Sequence, residues 1–180
     1  MEHIKQDKII NVPNALTLVR ILLLPVVVWR FVLGDTTGAL IAYMTAMLTD
    51  ALDGIIARKT NQVTALGKLL DPIADKLSLV TLLGLFVSDG EIPLWVLALI
   101  LFKEVMMVIG GGVALKHGIV VYALPIGKIT TVTFVLSMLA RFLSMPSPAD
   151  ILLWISVALS MVALVWYAID LMKKLGLKQI

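Results

Sequence analysis

The segment DALDGIIARKTNQVTALGKLLDPIAD, residues 50–75, carries four aspartates inside a chain that is otherwise very apolar. Of the 180 residues, 60% are hydrophobic and 15% are charged, and the mean hydropathy is +1.02. This balance is far from that of a soluble domain, so the segment should be surrounded by lipid. An aspartate inside a membrane helix costs about 2.5 to 3.5 kcal/mol on insertion scales, and such residues usually face a polar interior. The four acids therefore mark a functional site.

Six apolar segments lie along the chain, and each is long enough to cross a hydrocarbon core, which needs about 20 helical residues. Breakers or charged residues bound them, such as Gly34 with Asp35, and Pro146 with Pro148. The sequence predicts an all-α integral membrane protein in a single domain, residues 1–180, with six transmembrane helices. They are expected at 16–33, 39–57, 66–87, 93–115, 119–143 and 151–172. The residues before Pro13 are a candidate for a short amphipathic helix on the membrane surface.

Lysine and arginine are distributed unevenly when the loops are assigned alternately to the two sides of a membrane. By the positive-inside rule, the cation-rich side is cytoplasmic, which places both termini and the loop between Arg58 and Lys68 there. We expect a multi-pass protein of the cell membrane whose active site faces the cytoplasm. Topology and anionic lipid headgroups account for the net charge of +3, so no nucleic-acid partner is predicted. The cytoplasmic cations are Lys5, Lys8, Arg58, Lys59, Lys68, Lys116, Lys173, Lys174 and Lys178.

The four aspartates form two pairs with helical spacing. Asp50 and Asp53 are three residues apart, and Asp71 and Asp75 are four apart, so each pair shares one helix face. If the intervening loop turns the chain back, the two faces oppose each other at a similar depth. Four carboxylates can then converge on one point.

Converging carboxylates repel one another and need a positive partner. Lys76 and Arg58 are too few and too poorly placed to supply that charge alone. A divalent cation is the natural partner, and a set of oxygen ligands in a chain without cysteine favours Mg²⁺ or Mn²⁺ over zinc. The alternatives are a set of aspartates that pair with lysines inside the bundle, and a chain of proton carriers in a transporter.

The same segment contains small residues and a cation at fixed spacing, in the pattern D-x2-D-G-x2-A-R-x8-G-x3-D-x3-D. It resembles the signature of the class I CDP-alcohol phosphatidyltransferases at all eight of its specified positions. A second stretch, NVPNALTLVR at residues 11–20, followed by Pro25, is similar to the opening of bacterial phosphatidylglycerophosphate synthases and cardiolipin synthases.

The resemblance implies six membrane helices, usually in a homodimer, and transfer of a phosphatidyl group from CDP-diacylglycerol to an alcohol. It also implies that Asp50, Asp53, Asp71 and Asp75 hold two divalent ions against the diphosphate, with Asp75 as general base. For Asn14 and Thr17, the alternative is a structural role at a helix N-terminus that Asn14 caps. The residues that match the donor-binding positions, or that look like further contacts, are Asn11, Val12, Pro13, Asn14, Thr17, Gly54, Ala57, Arg58, Thr64 and Gly67.

The acceptor alcohol is less well defined by the sequence. Glycerol 3-phosphate needs cations near the metals, and the candidates are Arg20, Lys103 and Lys128, although Lys103 could instead pair with Glu104. Phosphatidylglycerophosphate synthases generally have G-K-x-K-T where this chain has GKITT at residues 127–131, so Thr130 replaces a lysine. Phosphatidylglycerophosphate synthase remains our first prediction. Cardiolipin synthase, with phosphatidylglycerol as acceptor, is the second, followed by enzymes that use inositol phosphate or serine.

Two other classes of membrane protein also place acids inside the bilayer. Prenyltransferases hold Mg²⁺ against a prenyl diphosphate, but they use two separate Asp-rich motifs, whereas this chain has one contiguous motif. Ion or proton transporters typically contain inverted repeats and paired broken helices, which are not evident here. Metal-dependent release of CMP would distinguish the phosphatidyltransferase from both.

Overall fold

The structure, a computed structural model, describes residues 11–60, 64–119 and 125–176, and these residues form six α-helices without a strand. The predicted all-α class is therefore confirmed. The proposed surface helix before Pro13 lies largely in residues 1–10, outside the described ranges. The helices are α1 Val12–Val32, α2 Thr36–Thr60, α3 Ala65–Ser88, α4 Leu94–Lys116, α5 Pro125–Phe142 and α6 Pro146–Lys174.

Three of the six helices are both long and apolar enough to cross a membrane. They are α1, α4 and α6, with mean hydropathies of 2.0, 2.1 and 2.2 over their best segments. The described parts of α2, α3 and α5 do not meet this standard. Most of the charged residues of the predicted sites lie on these three helices and lower their hydropathy. The structure thus confirms six helices, whereas length and apolarity support a span for three of them.

The chain divides into two compact units, Met1–Asp89 and Gly90–Ile180. In the first unit, α1 packs against both α2 and α3. Small buried residues on one face of α2, Ala39, Ala42 and Ala46, permit close approach of a neighbouring helix. Phe31 and Phe86 make an edge-to-face contact with their ring centroids 5.4 Å apart. The first unit, which contains the whole Asp-rich segment, is therefore organised around α1.

In the second unit, α6 has the corresponding position and packs against α5 and α4. The Ser137 hydroxyl on α5 donates a hydrogen bond to the carbonyl oxygen of Ala149 on α6, at 2.7 Å. Trp95 and Trp154 stack with their ring centroids 5.5 Å apart. These contacts join the non-cytoplasmic ends of α4, α5 and α6 in the predicted topology.

Several helices begin at residues other than those predicted, and the residues of the first turn explain the difference. Asn11 caps α1, because its side chain accepts a hydrogen bond from the backbone N–H of Asn14 at 2.8 Å, so the prediction that Asn14 is the cap is wrong. Pro146 and Pro148 were expected to separate the last two helices, but they lie in the first turn of α6. Proline suits that position because the first turn's N–H groups have no intrahelical partner.

Candidate active site

A stripe of buried polar side chains runs along α1 at intervals of three residues. Asn14, Thr17 and Arg20 are only 4%, 1% and 3% exposed, respectively. Buried polar groups are almost always hydrogen-bonded, because an unpaired one loses its interaction with water without compensation. The partners of this stripe therefore show what α1 does in the first unit.

Arg20 binds two of the predicted metal ligands at once. Its Nη1 atom lies 2.5 Å from Oδ1 of Asp50 on α2 and 2.6 Å from Oδ1 of Asp75 on α3. The guanidinium is buried, whereas the side chains of Asp50 and Asp75 are 51% and 65% exposed. One buried cation thus binds both carboxylates, while the rest of each carboxylate remains accessible.

Thr17 attaches a third aspartate to the same helix. Its hydroxyl lies 3.0 Å from Oδ1 of Asp71, to which it donates, and 3.2 Å from the carbonyl oxygen of Pro13. Asp50, Asp71 and Asp75 are therefore gathered at α1. The sequence indicates that the acidic faces of α2 and α3 can oppose each other across a hairpin. In the described residues, α1 supplies the polar contacts that bring the acids together.

Asn14 joins the start of α1 to the start of α3. Its side-chain Nδ2 donates to the hydroxyl of Thr64 at 3.1 Å, and that hydroxyl also accepts the backbone N–H of Gly67 at 3.0 Å, which caps α3. A Cβ atom on Gly67 would lie 2.7 Å from Oδ1 of Asn14, so the close approach of the two helices requires glycine here. Three of the predicted donor-binding residues thus form one structural joint.

The remaining donor-site predictions have mixed outcomes. Val12 is exposed and Pro13 is buried in the first turn of α1. Asp53, Gly54, Ala57 and Arg58 lie within α2, but their side chains are outside the described part of the structure. The contribution of these four side chains stays a prediction.

The donor chemistry of the aspartates fits a divalent metal, since carboxylate oxygens are the ligands that Mg²⁺ and Mn²⁺ prefer. Among the side chains that the structure describes, no three acidic or histidine groups are arranged to bind one ion. Oxygens of Asp50, Asp71 and Asp75 are bound by Arg20 and Thr17. A fourth potential ligand, Asp53, is not described.

The cation that partners these acids is not predicted by the sequence. Lys76 and Arg58 are the counter-charges that the sequence suggests, and Arg20 is predicted to bind the acceptor. The signal that could have found the pairing is the spacing of Asn14, Thr17 and Arg20, which places all three on one face of α1. That spacing identifies a polar face but not the helices against which it packs.

The other two acceptor candidates belong to the second unit. Lys103 on α4 forms an ion pair with Glu104 at 2.6 Å between Nζ and Oε1, and both side chains are largely buried, so this alternative from the sequence is confirmed. Lys128 is exposed near the start of α5. Of the three candidate cations, Lys103 therefore already has a carboxylate partner on its own helix.

Comparison with known proteins gives consistent matches. A family model described as CDP-alcohol phosphatidyltransferase matches residues 10–162. The CDP-diacylglycerol--glycerol-3-phosphate 3-phosphatidyltransferase of Bacillus subtilis is 34% identical over 176 residues, covering 85% of this chain and 91% of that protein. Its namesake in Aquifex aeolicus is 35% identical, covering 72% and 74% of the two chains.

A relative with a different name matches a similar part of the chain. The cardiolipin synthase (CMP-forming) of Streptomyces coelicolor is 33% identical over 123 residues. The match covers 64% of this chain but only 57% of that protein, so this chain spans little more than half of its length.

Proposed function

The chain belongs to the CDP-alcohol phosphatidyltransferase family, and we propose that it transfers a phosphatidyl group from CDP-diacylglycerol to an alcohol, releasing CMP. The observation that carries this proposal is the gathering of Asp50, Asp71 and Asp75 by Thr17 and Arg20. All three aspartates occupy fixed positions of the family signature. This reaction is a step of phospholipid biosynthesis.

The family uses divalent metal ions, and in this chain the proposed ligands are Asp50, Asp53, Asp71 and Asp75. Two ions, Mg²⁺ or Mn²⁺, would offset the charge of the donor diphosphate and stabilise CMP as the leaving group. The donor would lie against the starts of α1 and α3 and the end of α2. The proposed donor-binding residues are Asn11, Val12, Pro13, Asn14, Thr17, Gly54, Ala57, Arg58, Thr64 and Gly67.

Asp75 is the proposed general base for the acceptor hydroxyl. In the structure Arg20 binds Oδ1 of Asp75, so Oδ2 is the oxygen that is open to a proton. The exposed side of this carboxylate permits an acceptor to approach, and the ion pair with Arg20 orients the carboxylate before a divalent ion binds. Thr17 has the equivalent orienting role for Asp71.

Glycerol 3-phosphate is the proposed acceptor, and phosphatidylglycerophosphate the product. The relatives from Bacillus subtilis and Aquifex aeolicus, which cover most of the chain, carry the name of that activity. Arg20 and Lys128 are the proposed ligands of the acceptor phosphate, and Lys103 has a lesser part because Glu104 neutralises it. Cardiolipin synthase is the second candidate, since Thr130 replaces the lysine of the glycerol 3-phosphate enzymes and the relative from Streptomyces coelicolor is among those that bear that name.

The setting of the reaction is also proposed. We place the protein in the cell membrane as a homodimer, with the active site facing the cytoplasm, where water-soluble acceptors and CMP are exchanged. The apolar helices α1, α4 and α6 support the membrane location, and the uneven distribution of cations among the loops supports the orientation. The homodimer follows from the family resemblance alone.

The reaction class can be tested by following CMP release from CDP-diacylglycerol by the purified protein. Asp50→Asn and Asp71→Asn should each abolish release, as should EDTA, because the diphosphate charge would no longer be offset. Asp35→Asn is the control, since Asp35 pairs with Arg30 outside the proposed site, and its activity should equal that of the wild type. Full turnover by a metal-free preparation would refute the proposed chemistry.

The acceptor can be identified by offering glycerol 3-phosphate, phosphatidylglycerol, inositol phosphate, inositol and serine in turn, and by analysing the lipid product. With glycerol 3-phosphate, Lys128→Ala should raise the acceptor KM about tenfold or more, because charge-assisted hydrogen bonds contribute about 1.5 to 3 kcal/mol each. Thr130→Lys should improve its use. Lys116→Ala, which removes an exposed cation at the end of α4, should change neither parameter. A Lys128→Ala enzyme that is unchanged with glycerol 3-phosphate, together with wild-type activity on phosphatidylglycerol, would support the cardiolipin synthase instead.

A further inference from the structure

Arg20 is a buried cation that contacts two proposed metal ligands directly. We propose that it is the resident counter-cation of the metal-free site, which holds Asp50 and Asp75 until a divalent ion binds them, and which thereby lowers the metal affinity. The inference rests on the proposed function in one respect only, namely that Asp50 and Asp75 are metal ligands. The protein would then contain its own competitor for the metal.

The geometry supports competition because Arg20 and the ion would use the same carboxylates. One nitrogen, Nη1, contacts Oδ1 of both aspartates, at 2.5 and 2.6 Å. A divalent ion that binds these carboxylates would come close to the guanidinium, and the two like charges repel. Burial strengthens this repulsion, since it reduces screening by water. Metal loading must therefore weaken or break at least one of the two contacts.

The charge balance explains why the metal-free protein needs Arg20. Two adjacent carboxylates repel each other, and a guanidinium keeps its positive charge under all ordinary conditions. Arg20 offsets part of the negative charge and ties α2 and α3 to α1. When the ion takes over this role, Arg20 becomes available to an anionic group such as a phosphate. Arg20 would then act first as the counter-cation of the two carboxylates and afterwards as a ligand of the acceptor phosphate.

The second unit contains a matched control for this inference. Arg141 is also a buried arginine between two carboxylates, with Nη1 2.9 Å from Oε2 of Glu91 and Nη2 2.5 Å from Oδ1 of Asp150. None of these residues belongs to the family signature. A merely structural buried arginine should therefore behave like Arg141, whereas a competitor for the metal should not.

The test measures Mn²⁺ binding to the purified protein without substrates, by the loss of the free-ion EPR signal during titration. Arg20→Gln should bind Mn²⁺ about tenfold more tightly than the wild type, and Arg141→Gln should bind with wild-type affinity. Both variants should melt at a lower temperature without metal. Saturating Mn²⁺ should raise the melting temperature of Arg20→Gln more than that of the wild type. Arg141→Gln should show the wild-type increase.

Wild-type Mn²⁺ binding together with an unchanged or weaker affinity in Arg20→Gln would overturn the inference and leave the proposed function intact. A wild-type protein that binds no Mn²⁺ would instead refute the metal site itself, and the inference with it. If the glutamine variant does not fold, Arg20→Lys is titrated with Mn²⁺ in its place. Lysine lacks the planar fork of arginine, so it should hold the two carboxylates less well and raise the Mn²⁺ affinity by a smaller factor. An unchanged affinity in Arg20→Lys would then also contradict the inference.

Discussion

Thr17 is only 1% exposed, and its hydroxyl donates a hydrogen bond that fixes Asp71 in one orientation. Thr17→Val keeps the shape of the side chain and removes the donor. We expect kcat for CMP release to fall about tenfold, because hydrogen bonds to charged groups are worth about 1.5 to 3 kcal/mol. The protein should still fold, since valine fills the same space.

Thr45→Val is the control for this substitution. The Thr45 hydroxyl donates to the carbonyl oxygen of Ile41 one helical turn earlier, at 2.8 Å, and its side chain is exposed. Its loss should leave kcat unchanged. Equal activities of the Thr17→Val and Thr45→Val variants would show that the hydrogen bond to Asp71 has no catalytic role.

Residue spacing predicts which residues form the site more completely than it predicts the contacts between them. The eight fixed positions from Asp50 to Asp75 identify the family, because a match at all eight of them is very specific. The partner of the acids was not predicted, because Arg20 lies 55 residues from Asp75 and the pairing depends on how three helices pack. Periodicity indicates which residues share a helix face, but it does not indicate which face lies opposite.

At the scale of elements, the joint between α1 and α3 depends on the absence of a side chain at Gly67. Gly67→Ala would place a Cβ atom 2.7 Å from Oδ1 of Asn14 and 3.3 Å from the hydroxyl of Thr64. Asn14 is buried and bonded to Thr64, so it cannot move away without losing that hydrogen bond. We expect a lower melting temperature and a large loss of activity.

Gly84→Ala provides the comparison within the same helix. A Cβ atom at Gly84 meets no atom within 4 Å, so alanine should stabilise α3 by up to about 1 kcal/mol through its higher helix propensity. Thermal melting of the two variants should therefore shift in opposite directions. A Gly67→Ala protein as stable and active as Gly84→Ala would contradict the proposed joint.

The helix ends also show where sequence reasoning reached its limit. The sequence places Pro146 between the last two helices, whereas in the structure it begins α6, because a residue without an N–H group is favourable in a first turn. Asn11 and Asn14 are equally good caps by residue type. In the structure Pro13 lies in the first turn of α1 and Asn11 caps the helix, while the Asn14 side chain binds Thr64.

At the scale of the molecule, the two units differ in the segments that their buried arginines join. The first unit holds its polar contacts at the Asp-rich segment, where Arg20 joins three helices. In the second unit, Arg141 joins the segment before α4 to the start of α6, near the stacked Trp95 and Trp154. Aromatic residues are enriched at membrane interfaces, so this end of the second unit is expected to lie at a bilayer surface.

The last prediction concerns the orientation of the chain in the membrane. The native chain has no cysteine, so single engineered cysteines can be labelled without background. Lys116 ends α4 and Met145 precedes α6, and both are exposed. The distribution of cations predicts that Lys116 is cytoplasmic and Met145 external. An impermeant maleimide should therefore label Met145→Cys in intact cells, and Lys116→Cys only after permeabilisation. Both variants should retain CMP release, which controls for folding. Labelling of Lys116→Cys in intact cells would place the cation-rich loops outside, and the cytoplasmic orientation of the active site would be wrong.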